Sequence, residues 1–186
     1  MAQQYEALTE EHIAFIARQH MFFVASATDA SKINLSPKGL GGFRVIDAKR
    51  VCYLDLTGSG AETAAHLRAD GRLTIMFCAF EGQALILRLY GRGRSLPRGS
   101  ADYAALLARH FNNEETAGAR QIVVLDIDMA QTSCGYGVPK YAYEGERETL
   151  IRWAQSRGED GVAAYRAEQN VVSLDGLATG LVDEDA

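Results

Sequence analysis

The chain has 186 residues, 47% of them hydrophobic, which is enough for one domain with a substantial core and short for two. Its net charge of −5 is spread over both halves with no basic block, which argues against a nucleic-acid partner. Apolar runs such as residues 73–80 fall well below the roughly 20 residues needed to cross a bilayer, and the first six residues carry neither a basic start nor an apolar signal core. A cytoplasmic protein with no membrane partner is therefore expected. Three cysteines, Cys52, Cys78 and Cys134, form no CxxC pair and are expected as reduced thiols.

Along the chain, Thr9 can cap a short helix whose Ile13, Ala14, Ile16 and Ala17 share one face. Residues 21–27 and 33–36 read as two strands of a hairpin, which Pro37 and the glycines at 39, 41 and 42 then break. A short strand over 43–46 precedes a nearly continuous apolar run, 51–56. Thr57-Gly58-Ser59-Gly60 and a helical stretch, 61–69, come next. Strands are predicted over 72–80 and 84–94, with Gly91 and Gly93 marking a bend, and Ser100 can cap a helix reaching Phe111. The last long β-prone run, 121–127, leads to a turn over 133–139. Residues 146–157 read as an amphipathic helix bearing Trp153, and the polar, acidic C-terminus is expected to fray.

The strongest chemical signal is the strand–turn–helix segment 51–67. Free N–H groups at a helix start attract anions, glycines permit close approach, and Thr57, Ser59 and Thr63 add hydroxyl donors suited to a phosphomonoester. A glycine turn with a capping serine fits the same spacing. So does a dinucleotide fingerprint with Glu81 as the ribose acid, although Thr63 replaces the third glycine and no further strand–helix alternation follows.

Asn34-Leu35-Ser36-Pro37-Lys38-Gly39 is a second constellation, delivering a hydroxyl and an ammonium to a glycine-opened loop, though lysines after prolines are also ordinary surface residues. Arg88, Arg92 and Arg94 share one face of a strand, either as a solvated row or as a reserve of phosphate or dimer contacts. Cys134, between Ser133 and Gly135, has no neighbouring base that would activate its thiol. The four histidines are scattered without metal spacing, so no metal is expected, and no GxSxG signature supports hydrolysis.

Taken together, the segments 34–39, 53–67 and 132–139 resemble the pyridoxamine 5′-phosphate oxidase-like FMN-binding family, over roughly residues 13–153. The resemblance is nearest to a branch in which SPKG and SCGYGVP segments recur. It implies a mainly β fold with peripheral helices: a split β-barrel of antiparallel strands in Greek-key order. Residues 1–186 would form one such domain, with a helical extension from about 145. It also implies a homodimer with FMN at the interface.

The phosphate-holding positions of the family match Ser36, Lys38, Thr57, Ser59 and Thr63, with Gly60 also expected to touch the cofactor, while Asp55 and Leu56 would line the isoalloxazine edge. Ser133, Cys134 and Tyr136 match the turn that approaches the partner subunit's flavin. Two departures weigh against pyridoxamine 5′-phosphate oxidase activity itself. Glu62-Thr63 stands where those oxidases have an Arg-Lys pair, and Leu177-Ala178-Thr179-Gly180-Leu181 replaces their RLxP segment. The expectation is an FMN-dependent oxidoreductase with no residue assignable as general base. The alternative is a non-catalytic module that binds or senses flavin, haem or a deazaflavin.

Overall fold

In the computed structural model, which describes residues 2–182, β1 (Gln3–Tyr5) is followed by α1 (Glu10–Ile16), β2 (Phe22–Ser26), β3 (Asn34–Lys38), β4 (Phe43–Asp47) and β5 (Arg50–Leu56). The chain continues through α2 (Glu62–Ala69), β6 (Arg72–Cys78), β7 (Ile86–Pro97), α3 (Ala101–His110), β8 (Ala119–Ser133) and α4 (Thr149–Gln169). Thr9 caps α1 through a capping box: its hydroxyl accepts from the His12 N–H, and His12 Nδ1 accepts from the Thr9 N–H. Ser100 accepts from the Tyr103 N–H and caps α3.

Seven strands follow the order β3-β2-β6-β7-β8-β5-β4, and β1 adds to β8, giving an eight-stranded antiparallel sheet. This order disposes of the dinucleotide reading. β5 lies between β8 and β4, whereas β6 lies between β2 and β7, so β5–α2–β6 is not a parallel βαβ crossover.

Both faces of the central strands are covered. Val51, Tyr53, Val123 and Leu125 join one apolar cluster with Val24, Ile75, Phe77 and Leu89. Their neighbours Cys52, Leu54, Ile122 and Val124 join another, beneath Tyr103 and Leu107 of α3. Burial on both sides is why β5 and β8 read as continuous apolar runs instead of alternating.

The expected bend is a β-bulge at Tyr90/Gly91 in the β7–β8 pairing. A Cβ on Gly91 would lie 1.9 Å from the Asp126 carbonyl oxygen, so the backbones approach too closely for any other residue. Several boundaries differ from the sequence expectation: the strand expected over 121–127 extends to Ala119–Ser133 and that over 84–94 lies at Ile86–Pro97. Pro37 does not end its strand but sits inside β3, opposite Phe23, where an edge position spares the missing N–H a partner. The last helix begins at Thr149 and runs to Gln169, with a kink at Gly158 (φ 67°). The acidic end expected to fray, residues 183–186, lies outside the described residues. Among the described residues no helix is long and apolar enough to cross a membrane.

Candidate functional site

β5 delivers Asp55 to the sheet end where the glycine turn begins. Its carboxylate is nearly sealed from solvent, with 3% of the side chain exposed. Three donors converge on it: Lys38 Nζ on Oδ1 at 2.7 Å, and Arg120 Nε and Gln121 Nε2 on Oδ2, each at 2.8 Å. Arg120 and Gln121 are consecutive in β8, and consecutive strand residues ordinarily face opposite sides. Here the β5–β8 register shifts between Asp55 and Leu56, which pair with Gln121 and Ala119, so Arg120 is the extra residue of a bulge and turns to the same carboxylate. Ser95 donates to the Gln121 side-chain oxygen, leaving its amide nitrogen for Asp55. Burial alone would push the Asp55 pKa up. The charges of Arg120 and Lys38, with hydrogen bonds from Lys38 and Gln121, outweigh it and hold the group ionised, well below the usual carboxylate range.

Arg120 also fastens the glycine turn. Its Nη2 donates to the Gly60 carbonyl at 2.8 Å and its Nη1 to Asn170 Oδ1 at 2.8 Å, while Asn170 Nδ2 donates to the Gly58 carbonyl at 3.0 Å. Across a trans peptide the next N–H points opposite to the carbonyl, so the Ser59 and Ala61 N–H groups are directed away from Asn170 and Arg120. The N-cap of α2, Ala61, supplies no side-chain acceptor to the first turn of the helix. Added Cβ atoms on Gly58 or Gly60 would meet nothing within 4 Å, so the turn borders open space.

That space is a cleft of about 460 Å³. It gathers Ser36, Lys38, Asp55, Leu56, Ser59, Gly60 and Thr63 of the residues singled out in the sequence, together with Asn34 and Arg120. Asn34 orders the hydroxyls, donating to Thr63 Oγ1 at 3.0 Å and accepting from Ser36 Oγ at 3.2 Å. Glu62, also on the rim, accepts the Leu174 N–H on both oxygens at 2.9 and 3.1 Å. A second cleft of about 710 Å³ shares Gly39, Leu40, Gly58, Ser59 and Leu150 with the first and is walled by His20, Tyr143, Trp153 and Tyr165. His20 stacks on Tyr143 at 3.6 Å. The exposed segment carrying Tyr143 is pinned by the Tyr141 N–H on the Phe80 carbonyl (3.0 Å) and the Tyr143 N–H on Glu81 (2.8 Å).

Four sequence candidates lie outside the first cleft. Thr57 lines the second cleft, but it is buried and its hydroxyl donates to the Gly118 carbonyl at 2.8 Å. Ser133 lies at the opposite end of β8 and accepts from Arg88 (3.2 Å), beyond it Cys134 is exposed, and Tyr136 is 85% exposed. Of the basic row, Arg94 pairs with Asp126 (2.5 Å) and Arg92 with Asp70 (3.5 Å).

Sequence reasoning missed Arg120, Gln121 and Asn170. The first two carried a usable signal, a charged-polar pair at the mouth of an otherwise apolar strand, because a charge entering a core requires a partner. Asn170 carried none.

Comparison with known proteins gives the family and the fold. Residues 8–134 match the family model described as pyridoxamine 5′-phosphate oxidase. A pyridoxamine 5′-phosphate oxidase family protein of Aspergillus flavus, ustO, is 38% identical over 191 residues, covering 93% of this chain and 76% of that protein. Among solved structures, a single-site variant of HupZ from Group A Streptococcus superposes with a TM-score of 0.55 at 20% identity, over 67% of this chain and 98% of that one. An FAD-binding protein of Mesorhizobium loti superposes with a TM-score of 0.50 at 13% identity, over 71% and 96%. The open, curled antiparallel sheet is the split barrel of these proteins, and the chain belongs to the pyridoxamine 5′-phosphate oxidase family.

Proposed function

We propose that this chain is an FMN-binding flavoprotein acting as an FMN-dependent oxidoreductase, with the FMN phosphate seated in the cleft between β3, β5 and the start of α2. The observation that carries this reading is the donor set. An uncapped helix start and an open glycine turn meet the hydroxyls of Ser36, Ser59 and Thr63 beside Lys38 and Arg120. With Asp55 ionised between Lys38 and Arg120, that trio carries one net positive charge, and the Glu62 carboxylate is occupied by the Leu174 N–H. This set fits a phosphomonoester. The adjoining aromatic-walled cleft suits the flat ring, and Asp55 and Leu56, which line the phosphate cleft, would meet the ring's near edge. A fold relative from Mesorhizobium loti is itself an FAD-binding protein, which supports a flavin here.

Bound there, the flavin supplies hydride chemistry, and the chain supplies binding, orientation and charge. Ser59 and Thr63 donate hydrogen bonds, Ser36 adds one when its hydroxyl turns from Asn34, Lys38 supplies charge, and Arg120 and Asn170 hold the turn. Asp55 does not serve as a base, because both its oxygens are engaged and its charge is stabilised.

A homodimer completes the reading. Ile33, just before the edge strand β3, and Leu35, on it, are 80% and 64% exposed, and Tyr136 stands uncovered beyond the far end of β8. Pairing would cover such apolar side chains and bring Ser133, Cys134 and Tyr136 to the partner's flavin. Three free thiols suit a reducing, cytoplasmic compartment.

The test is the visible spectrum of the purified protein and the mass of any ligand released on denaturation. A colourless protein that takes up no FMN overturns the proposal. The second reading, a non-catalytic flavin binder or sensor, is favoured by the lack of a free acid or base around Asp55 among the described residues. Failure of NADH and NADPH to reduce the bound flavin selects it.

A further inference from the structure

Behind the glycine turn, on the side of α2 that faces the C-terminal segment, Glu62, His66 and Asp175 bring one ligand atom each within 4.8 Å of one another. Glu62 and His66 are four residues apart on α2 and so share a helix face. Asp175 comes from the turn closed by the Val172–Ala178 bridge. We propose that these three residues form a binding site for a divalent transition-metal ion of the zinc type.

Two acids beside a histidine would not by themselves make a site; the state of the histidine does. His66 is completely buried, and its Nε2 has no hydrogen-bond partner among the described residues. Its other ring nitrogen, Nδ1, lies 3.0 Å from Ser26 Oγ. With the proton on Nδ1 donated to Ser26, Nε2 keeps a free lone pair, and a buried lone pair without a donor is costly.

The other two groups are also held from behind. Glu62 accepts from the Leu174 N–H, and Asp175 accepts from the Lys32 N–H at 2.9 Å. Outer hydrogen bonds of this kind orient metal ligands. One imidazole nitrogen and two carboxylate oxygens are a donor set that zinc accepts, with a further position left for water. Tetrahedral zinc places its ligand atoms about 3.4 Å apart, so the cluster needs to contract by little more than an ångström.

The Lys32 ammonium, 2.6 Å from Asp175, is the competing cation. Its side chain is 71% exposed and can swing into solvent when a metal arrives. Bound metal would tie the C-terminal turn to α2 beside the glycine turn, and it would share Glu62 with the rim of the cleft.

The test uses the untagged full-length protein, stripped with a chelator, then loaded with zinc and gel-filtered. The expected result is one zinc per chain and a raised unfolding temperature, with Glu62→Gln and Asp175→Asn each weakening zinc binding at least about tenfold while keeping the wild-type circular dichroism. Zinc should also shift the ¹⁵N resonance of His66 Nε2 in the wild-type protein, a readout that needs no variant to fold. No zinc uptake, equal uptake in both variants, or an unmoved His66 resonance overturns the site.

Discussion

Arg120 donates from Nε to Asp55 Oδ2 at 2.8 Å, and the two side chains are only 5% and 3% exposed. Replacing Asp55 by Asn would leave the Arg120 charge buried without its counter-ion. The expected loss is about 3–5 kcal/mol of stability, read by urea or thermal unfolding. A variant as stable as the wild type would show that the pair does not hold this sheet end.

Stability should fall with acid in two stages. His12 is pushed down from its ordinary 6.5 by burial, partly opposed by Glu11, so its contribution is complete above that value and declines as the pH drops below it. Asp55 titrates far below its ordinary 3.8, so its contribution is complete above 3.8 and disappears as the pH falls towards the folded value. Glu115 and Asp126, both lowered by arginine partners, act in the same direction. Unfolding temperatures between pH 7 and pH 2.5 should decline gently below about 6.5 and steeply below about 4. Asp55→Asn should flatten the steep part.

Lys38→Met should weaken FMN binding roughly tenfold or more, because a charged hydrogen bond contributes about 1.5–3 kcal/mol, and Thr63→Val should weaken it roughly two- to tenfold. Fluorescence titration of the apoprotein with FMN measures both. Wild-type affinity in the two variants would remove the phosphate from this cleft.

Asn170→Ala tests whether the end of α4 sets the glycine turn. It removes one bond to Arg120 and one to the Gly58 carbonyl, in a residue with no exposure at all. The expected cost is about 1–3 kcal/mol of stability, with faster FMN release in stopped-flow dilution. Unchanged release at reduced stability would confine Asn170 to a structural role.

Thiol titration should find at most one reactive cysteine in the native protein and three after denaturation. Cys52 is buried and its thiol is pushed up to about 12, chiefly by burial; Cys78 is buried and raised for the same reason; Cys134 is exposed. Rapid native labelling of Cys52 would contradict its place beneath α3.

The amino-acid sequence alone was sufficient for whatever depends on near neighbours. The Thr9 and Ser100 caps, the strand runs around residues 22–26, 51–56 and 72–78, and the glycine turn before α2 all follow from spacing and backbone preference over a few residues. Ser36, Lys38, Ser59 and Thr63 were legible as candidates because hydroxyls, an ammonium and glycines cluster locally.

Tertiary structure decided the rest. The rule that proline ends a strand failed at Pro37, because β3 is an edge strand and edge status is a property of the whole sheet. Asp55, Arg120 and Asn170 are joined by a bulge in β8 and by the docking of α4, and no local pattern encodes a contact across such separations. The histidines looked scattered for the same reason: His66 meets Asp175 only after the C-terminal turn closes on α2. What converges on the glycine turn is therefore set by strand register and helix docking, which balance burial over the entire chain.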